Sequence, residues 1–399
     1  MNILMLTSVY PYNNSKDTTP TRVVQYFVQE WKRMGHTVKV FHNDHRYPHI
    51  VHALPKSIKN HLTAKLNFYI PDWNDVQPNH YFDDGIEIWK EPILKYIPHG
   101  DHTVFSLNRQ VRIIQKELSH ADFTPDVIVG HWMSPQIQLI YKLKDIYNCR
   151  TALVLHGRTY LDNKRFPVKK YLEKVDVLGC RSLCEAKFVK EKLNLSKLPF
   201  ICYSGIPDNY VRGRECNLSK FEDNSVIRFI YVGRLVRYKH IENILEALAT
   251  FSDMDFAFDI IGEGNEEVFL KEKAKALNID NKVIFHGRMP RDEVMRFLDK
   301  AHYFVMVSKG EVFGLVYLEA MAASCIAIGS RGEGIDGIIK DSVNGFLTDP
   351  ASTESLRDTL TKVLSLDISD TKRVASKGFD TACKFTDKNV AKWYLDEIT

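Results

Sequence analysis

The chain has 399 residues, too many for one ordinary hydrophobic core, so we expect two domains of roughly 200 residues each. Hydrophobic residues make up 44% and charged residues 26%, which is the composition of a globular protein. The 54 basic and 50 acidic side chains give a net charge of +4, too even a balance to indicate nucleic-acid binding.

The N-terminal stretch MNILMLTSVYPYNN has no cationic leader and only a short apolar core, so it predicts a buried strand rather than a signal peptide. No apolar run of about eighteen residues is free of charge, which argues against a transmembrane helix. Seven scattered cysteines without a CxxC pair indicate reduced thiols rather than a zinc site. We therefore expect a cytoplasmic protein.

Short apolar, β-branched runs alternate with helical patterns through the first half of the chain. The strand NILML (2–6) precedes a helix expected from about Pro20 to Met34, with Thr19 at its cap and Gly35 at its exit. Further strands are expected at 37–42, 126–130, 151–156, 176–180 and 199–203. Residues 43–100 follow the alternation poorly and are interpreted as an insertion on the first domain.

A second series of strands is expected at 227–233, 256–262, 282–287, 303–308 and 325–329, with helices near 241–250, 265–277, 291–300 and 315–323. Such alternation predicts parallel sheets covered on both faces, and two series predict two doubly wound α/β domains. The predicted organisation is a first domain at 1–207, a linker at 208–225, a second domain at 226–380 and a final helix at 381–399 that returns to the first domain.

Ligands of open α/β sheets bind beyond the carboxyl ends of the strands, so the loops that follow strands are candidate sites. Arg234 and Lys239 follow Gly233, where two cations and a close approach of the backbone could neutralise a diphosphate. The alternative is that both are solvated surface charges. Gly262 lies in a Gly-x-Gly turn that leads into a helix, a weak indication by itself.

The segment EVFGLVYLEAM (311–321) carries an unusual carboxylate. From Val312 to Gly329 the only formal charge is Glu319, and a lone carboxylate is costly to bury unless something hydrogen-bonds to it. Gly314 permits a tight turn before a helix whose first amides suit a phosphate. Glu311 and Glu319 would lie about 12 Å apart if the whole segment were helical. A ribose diol and a hexose on one diphosphate would fit this spacing.

This pair of glutamates, with seven residues between them that include Phe-Gly-Leu, resembles the signature of glycosyltransferase family 4. The stretches VGRLVRYKH, IIGEGNEE, VIFHGRMP and GEGIDGIIKDSVNGFLTDP extend the resemblance over most of 227–350, whereas the first half matches more loosely. The resemblance implies a retaining, metal-independent enzyme of the GT-B fold, in which two Rossmann-like domains face a central cleft and a nucleotide-sugar is the donor.

The resemblance also implies donor-site roles for nine residues, which are Glu311 at the donor sugar, Glu319 at the ribose diol, Arg234 and Lys239 at the diphosphate, Gly314 and Leu315 through their amides, Gly262 in a donor-site loop, and Arg288 and Met289 around the base. His156, in LHGR, matches a histidine that touches a sugar hydroxyl, although a histidine at a strand end is often only structural. His131 and Trp132 could line the acceptor side.

The chain departs from the family pattern mainly in its first half. The first loop lacks a Gly-Gly pair, although Arg22 nearby could contact an anionic acceptor. Ser204-Gly205-Ile206-Pro207 replaces the usual Asn-Gly-Val/Ile-Asp, and Arg158 and Thr159 stand where an acidic residue is common. These differences concern the acceptor and hexose pockets, not the nucleotide site.

No Asp-x-Asp metal motif follows a predicted strand, so neither a metal nor another cofactor is expected. The leading prediction is retaining transfer from a UDP- or GDP-sugar to a hydroxyl acceptor in cell-surface polysaccharide or glycolipid synthesis. Glu311 would orient the sugar, whereas a covalent nucleophile is the contrary mechanism. The alternatives are a nucleotide-sugar epimerase or a sugar phosphorylase on the same fold, and a non-catalytic nucleotide-sugar binder.

Two basic stretches of the first domain indicate contact with a membrane. Residues 53–71 place Leu54, Ile58, Leu62 and Leu66 at four-residue spacing among lysines, and 163–174 adds five cations. Such a helix can rest on an anionic membrane, or it can simply pack on its own domain. We expect a saccharide or lipid-linked acceptor, with the protein at the inner face of the cytoplasmic membrane and no nucleic acid as partner.

Overall fold

The computed structural model describes residues 1–11, 21–66, 70–96, 100–157, 161, 166–222 and 226–399, without the side chains of 60 and 64–66. The chain divides into two compact units. The first unit comprises Met1–Cys180, Ala186–Cys202 and Ala391–Thr399, and the second comprises Arg181–Glu185 and Tyr203–Val390.

The strands of the first unit are β1 (Asn2–Thr7), β2 (Thr37–His42), β3 (His45–Arg46), β4 (Asn79–Asp83), β5 (Ile86–Lys90), β6 (Ile93–Leu94), β7 (Val127–His131), β8 (Arg150–Leu155), β9 (Val177–Cys180) and β10 (Phe200–Ile201). Eight of them form one sheet in the order β10-β9-β8-β7-β1-β2-β5-β4. Only β4 runs antiparallel to its neighbour in this sheet. A short parallel pair, β3 and β6, lies apart from it.

The helices that begin in the first half of the chain are α1 (Val23–Arg33), α2 (His49–His52), α3 (Lys56–Leu66), α4 (Val104–His120), α5 (Gln136–Tyr147), α6 (Val168–Leu172) and α7 (Leu183–Leu193). Strands of a parallel sheet are buried on both faces, so they need continuous apolar runs. The strand β1 has such a run, since Ile3–Leu6 is fully buried. α1 covers the sheet with one apolar stripe that includes Phe27 and Trp31.

Two expectations for the first unit need correction. The helix expected from Pro20 begins at Val23, with Arg22 as its N-cap, and Thr19 and Pro20 lie outside the described residues. Part of the segment interpreted as an insertion extends the main sheet, because β5 pairs in parallel with β2. Trp89 of β5 stacks on Phe41 of β2, with ring centroids 4.9 Å apart. Four of the five residues of β5 are buried, so this strand anchors a segment that the strand-helix pattern excluded.

The second unit contains the strands β11 (Ile227–Val232), β12 (Phe256–Ile261), β13 (Val283–Gly287), β14 (Tyr303–Val305), β15 (Ile326–Ser330) and β16 (Phe346–Thr348). Its helices are α8 (Ile241–Ala249), α9 (Glu267–Ala276), α10 (Arg291–Lys300), α11 (Val316–Ala322), α12 (Thr353–Leu364) and α13 (Ile368–Lys384). The sheet is parallel, in the order β13-β12-β11-β14-β15-β16. The order reverses between β11 and β14, so a ligand is expected near their carboxyl ends.

The stretch expected as a linker is part of the second unit. It forms two short 3₁₀ turns, Asp208–Tyr210 and Ser219–Phe221. Tyr210 and Phe221 are buried in the second hydrophobic core, so two aromatic side chains anchor an otherwise polar segment.

The last helix, α14 (Asp387–Ile398), ends in the first unit, to which Ala391–Thr399 belongs. Trp31 Nε1 donates to the carbonyl oxygen of Ala391 at 2.9 Å. Tyr394 is buried, with its ring centroid 5.1 Å from those of Phe27 and Trp31, whereas Trp393 is exposed. No helix among the described residues is both long enough and apolar enough to cross a membrane.

Candidate active site

Five loops of the second unit leave the same edge of its sheet, because all six strands run in parallel. These loops follow β11, β12, β13, β14 and β15, and they carry Arg234, Gly262, Arg288, Glu311 and Glu333 respectively. The structure therefore brings the predicted residues of the second half to one edge of one sheet.

Gly262 allows two of these loops to approach each other. Its φ of +143° is unfavourable for a side chain, and a Cβ would lie only 1.8 Å from the carbonyl oxygen of Gly233. The amide of Gly262 donates to the carbonyl oxygen of Gly287 at 2.8 Å. Glycine at this position thus holds the loops after β11, β12 and β13 together.

Lys239 and Glu311 form an ion pair in which the Lys239 ammonium donates to Oε2 of the carboxylate. Lys239 is only 8% exposed, and its Nζ also lies 3.7 Å from the Met306 sulfur. Burial, followed by the charge of Glu311, raises the pKa of Tyr231 and of Tyr317, so both hydroxyls stay protonated. An ammonium has three N–H donors, so Lys239 can hold Glu311 and still donate to a phosphate.

Arg234 begins the loop that ends at Lys239. Its side chain is exposed, and Nη2 donates to the Tyr238 hydroxyl at 3.1 Å. The Tyr231 hydroxyl donates to the carbonyl oxygen of Arg234 at 3.0 Å, which fixes the backbone from which this guanidinium extends. One loop therefore carries both cations, one exposed and one buried.

The turn before α11 exposes several backbone donors. Gly314 has a φ of +78°, and a Cβ there would lie 2.7 Å from the Tyr317 ring. Within the described part of the chain, the N–H groups of Gly314, Leu315 and Val316 donate to no protein acceptor. Unpaired amides at the start of a helix are suitable donors for an anion.

Arg291 satisfies the lone carboxylate of Glu319. Glu319 is 6% exposed, and Arg291, the first residue of α10, donates to its Oε1 from Nε at 2.7 Å and also from Nη2. The Arg291 guanidinium also lies 5.9 Å from the centroid of the Tyr210 ring. Arg291 was not among the predicted site residues. The only local sign in the sequence that it could belong to the site is its position directly after GRMP, at the start of a predicted helix.

Glu333 is a second residue that sequence reasoning missed. Its Oε2 accepts hydrogen bonds from the amides of Gly310 and Glu311, each at 2.8 Å. The loop after β15 therefore fixes the backbone that carries Glu311. The motif GEGID, which follows a predicted strand, could have indicated it.

Arg288 and Met289 lie in the loop between β13 and α10. The Arg288 side chain is exposed, with Nη1 3.6 Å from Oε1 of Glu263. Met289 is half-buried against the second hydrophobic core. A base contact for either residue remains a prediction.

His156 follows β8 in the first unit and forms a chain of contacts with His131. The His131 Nδ1 lies 2.9 Å from the His156 Nε2, and the His131 Nε2 lies 3.1 Å from the Tyr394 hydroxyl oxygen. Trp132 stacks on His156 with ring centroids 4.1 Å apart. These residues lie beside the reversal of strand order between β1 and β7, where an open sheet binds its ligand.

The remaining predicted residues add little to the geometry of the candidate site. Arg22 is exposed at the start of α1, and Arg158 and Thr159 lie outside the described residues. Ser204 accepts a hydrogen bond from Arg181. Among the residues that the structure describes, no three or more His, Cys, Asp or Glu side chains are grouped so that they could hold a metal ion.

Residues 219–379 match the family described as glycosyl transferases group 1. The chain is 25% identical over 331 residues to the uncharacterized glycosyltransferase MJ1178 of Methanocaldococcus jannaschii, covering 80% of this chain and 86% of that protein. It is 24% identical over 314 residues to N-acetyl-alpha-D-glucosaminyl L-malate synthase of Bacillus anthracis, covering 76% and 78%.

A solved structure, Anabaena HepE in complex with UDP, shares the fold with a TM-score of 0.66 at 16% identity, covering 99% of both chains. These likenesses confirm the predicted α/β fold, the GT-B fold of two Rossmann-like units, and the resemblance to group 1 glycosyltransferases. The roles of individual site residues stay predictions.

Proposed function

We propose that this chain, whose residues 219–379 match the family of glycosyl transferases group 1, transfers a sugar from a UDP- or GDP-sugar to a hydroxyl acceptor. The observation that carries the proposal is the Lys239–Glu311 pair at the edge of the second sheet, on loops that also carry Arg234 and the open amides of Gly314 and Leu315. A buried ammonium and unpaired amides together suit a diphosphate.

The donor would be held by its diphosphate and its ribose. Arg234, Lys239 and the amides of Gly314 and Leu315 would neutralise the phosphates, whereas Glu319 would accept from the ribose diol. The two hydrogen bonds that Arg291 donates to Glu319 both go to Oε1, so Oε2 remains as an acceptor among the described residues. UDP is favoured as the nucleotide because the solved relative from Anabaena contains it.

The reaction would proceed with retention of configuration. The acceptor hydroxyl attacks the anomeric carbon from the face of the leaving group, so a carbon–oxygen bond to the acceptor forms as the bond to the phosphate oxygen breaks. The departing phosphate oxygen takes the acceptor proton. Glu311 orients the donor sugar, while Lys239 and Arg234 stabilise the charge that develops on the diphosphate. One such preorganised contact is worth about 10²–10³-fold in rate.

These cations would also replace a metal ion. A divalent ion commonly neutralises a leaving diphosphate. Here the positive charges of a guanidinium and an ammonium, together with the N–H groups of backbone amides, would stabilise the diphosphate instead. Activity should therefore persist when EDTA is present. A strict requirement for a divalent cation would overturn this part of the proposal.

The acceptor is proposed to be a saccharide or lipid-linked molecule of cell-surface polysaccharide or glycolipid synthesis, used at the inner face of the cytoplasmic membrane. Within the predicted membrane segment 53–71, Ile58 of α3 is 45% exposed, and Lys59 pairs with Asp72 at 3.3 Å. Residues 163–165 of the second basic stretch lie outside the described residues. Binding to anionic vesicles that weakens with salt tests this contact, and indifference to lipid and salt contradicts it.

A two-stage experiment tests the function. A panel of UDP- and GDP-sugars is screened by thermal shift, since a bound donor stabilises the folded state. The stabilising donor is then tested for nucleotide release with an acceptor panel, and the anomeric configuration of the product is read by NMR. We expect acceptor-dependent release and a retained anomer. Release with orthophosphate alone, or conversion of the donor without an acceptor, would instead identify a phosphorylase or an epimerase.

A further inference from the structure

Lys95 of the first unit is a buried cation whose ammonium pairs directly with no carboxylate among the described residues. The residue is 4% exposed, and its backbone amide donates to the carbonyl oxygen of Arg46 at 2.8 Å. Its ammonium makes no hydrogen bond and no ion pair within the described part of the chain. Burial lowers the pKa of Lys95, and Asp101 opposes this shift. A buried ammonium without a partner is costly, so a bound anion would complete this site.

Two imidazoles beside Lys95 have unused ring nitrogens. The rings of His45 and His102 have centroids 5.3 Å apart. The Nδ1 of His45 and the Nε2 of His102 are buried and have no hydrogen-bond partner among the residues that the structure describes. The His102 Nδ1 lies 3.3 Å from the Ser134 hydroxyl oxygen. Each neutral imidazole can place its N–H on the unused nitrogen.

The charge of Lys95 acts on both imidazoles, which is a second indication that the three side chains are neighbours. Burial, with a contribution from the charge of Lys95, lowers the pKa of His45 to about 4 and that of His102 to about 2. Both imidazoles are therefore neutral at pH 7, and each can donate one N–H without adding a second buried charge. Asp44 raises the pKa of His45, while the neighbouring His42 lowers it.

The fold places this cluster where an open sheet binds ligands. The short strands β3 and β6 bring the cluster together, since His45 pairs with Ile93 just before Lys95. His102 lies just before α4, and Ser134 follows β7, one of the two strands at which the order of the first sheet reverses. The site therefore lies near the carboxyl end of β7 in the first unit.

The surrounding charge favours an anion over a cation. Arg46, whose carbonyl oxygen accepts from the Lys95 amide, adds a guanidinium at β3. Burial and the charge of Arg109 lower the pKa of Arg46, whereas Glu91 raises it, so two cations are accompanied here by one carboxylate. A metal cation would meet the Lys95 ammonium, whereas a phosphate or carboxylate would accept from it.

We propose that His45, Lys95 and His102 bind an oxyanion of the acceptor, so that the acceptor carries a phosphate or a carboxylate. The inference rests on the proposed glycosyltransferase function and defines the acceptor class. Lys95 supplies the charge, and the two imidazoles supply directed N–H donors. These residues position the acceptor and take no part in bond making.

The first test is binding of simple anions to the protein without a donor. Inorganic phosphate and succinate are titrated while the histidine ring signals are followed by NMR. We expect saturable shifts of two imidazoles with at least one anion and at least a tenfold weaker affinity in Lys95→Met. Lys116→Met, which removes an exposed lysine of the same unit, should bind as the wild type does. No saturable binding, or equal affinity in Lys95→Met, overturns the inference.

The melting temperature of Lys95→Met distinguishes a role of Lys95 in anion binding from a role in folding. Lys95→Met removes an unpaired buried charge, so its melting temperature should equal or exceed that of the wild type. A lower melting temperature together with unchanged anion binding would identify a structural lysine and contradict the inference. His45→Gln and His102→Gln provide independent variants, each of which should weaken anion binding.

The transfer assay links the site to the acceptor. Sugar phosphates and sugar acids are compared with their neutral parents, and vesicles containing phosphatidic acid test a lipid source of the same phosphate chemistry. We expect anionic acceptors to have the lower KM and Lys95→Met to raise that KM without changing UDP binding. If UDP binds but neutral acceptors are used equally well, this inference fails and the proposed function stands. If neither UDP nor GDP binds, the proposed function fails, whereas the phosphate titration still decides whether the anion site exists.

Discussion

The Nε of Arg291 donates to Oε1 of Glu319 at 2.7 Å, which joins the first residue of α10 to the buried part of α11. This hydrogen-bonded ion pair explains how a lone carboxylate can lie in an otherwise apolar segment. It also presents the carboxylate in a fixed position, as the diol contact proposed for Glu319 would require.

Removing Arg291 should therefore destabilise the protein. Arg291→Met leaves a buried carboxylate without its partner, and we expect the free energy of unfolding to fall by about 1–3 kcal/mol. Adding Glu319→Met to that variant should recover part of the loss, because the unpaired charge is gone. Chemical denaturation measures both effects, with Arg296→Met on the exposed face of α10 as the control. An Arg291→Met variant as stable as the control would contradict the structural role of this pair.

Lys239 and Glu311 should affect catalysis more than folding. Lys239→Met and Glu311→Gln should each lower the rate of acceptor-dependent nucleotide release by about 10²–10³-fold, because each removes a preorganised charge at the donor. Initial rates at saturating donor measure the effect, and circular dichroism verifies the fold. A folded variant with a rate within twofold of the wild type would remove that residue from the proposed mechanism.

Glu333 acts through the loop that carries Glu311. Glu333→Ala removes the acceptor of two amide hydrogen bonds, each 2.8 Å long, so the loop should lose its fixed conformation. We expect kcat to fall about tenfold while UDP affinity changes little. Glu333→Gln keeps an acceptor oxygen and should restore most of the rate. Equal losses in both variants would mean that the charge of Glu333, not its position, is what the reaction requires.

The buried imidazoles of the first unit predict an acid-sensitive fold. Because the pKa values of His45 and His102 are lowered to about 4 and about 2, the unfolded chain binds more protons than the folded chain below pH 6.5. The free energy of unfolding should therefore fall with decreasing pH, by about 1 kcal/mol per imidazole between pH 7.5 and 5.5. His45→Gln should flatten this dependence, whereas His120→Gln, at an exposed position, should not. An unchanged slope in His45→Gln would rule out His45 as a source of the pH dependence.

Much of the fold could be predicted from local patterns. The β-branched runs at 37–42 and 151–156 correspond to β2 (Thr37–His42) and β8 (Arg150–Leu155). Strands of parallel sheets are buried on both faces, so their apolar runs stand out in the sequence. The helix start at Pro20 was wrong because a proline and a preceding threonine are only a local preference, and the observed helix begins at Val23.

The contacts that complete the sites could not be predicted in the same way. Arg291 meets Glu319 because α10 packs beside α11, and nothing near Arg291 in the sequence indicates that pairing. His45, Lys95 and His102 come together through β3 and β6, two strands of two residues each, too short to show a periodic pattern. Tertiary pairings of this kind require the folded structure.

The central claim is that Lys239, with Arg234 and the amides before α11, neutralises the donor diphosphate without a metal ion. The most direct measurement is calorimetric titration of UDP in the presence of EDTA into the wild type, Lys239→Met and Lys271→Met, a surface lysine of α9. We predict that the wild type and Lys271→Met bind UDP equally and that Lys239→Met binds it at least tenfold more weakly. Equal affinity in all three proteins, or binding only after a divalent cation is added, would contradict the account.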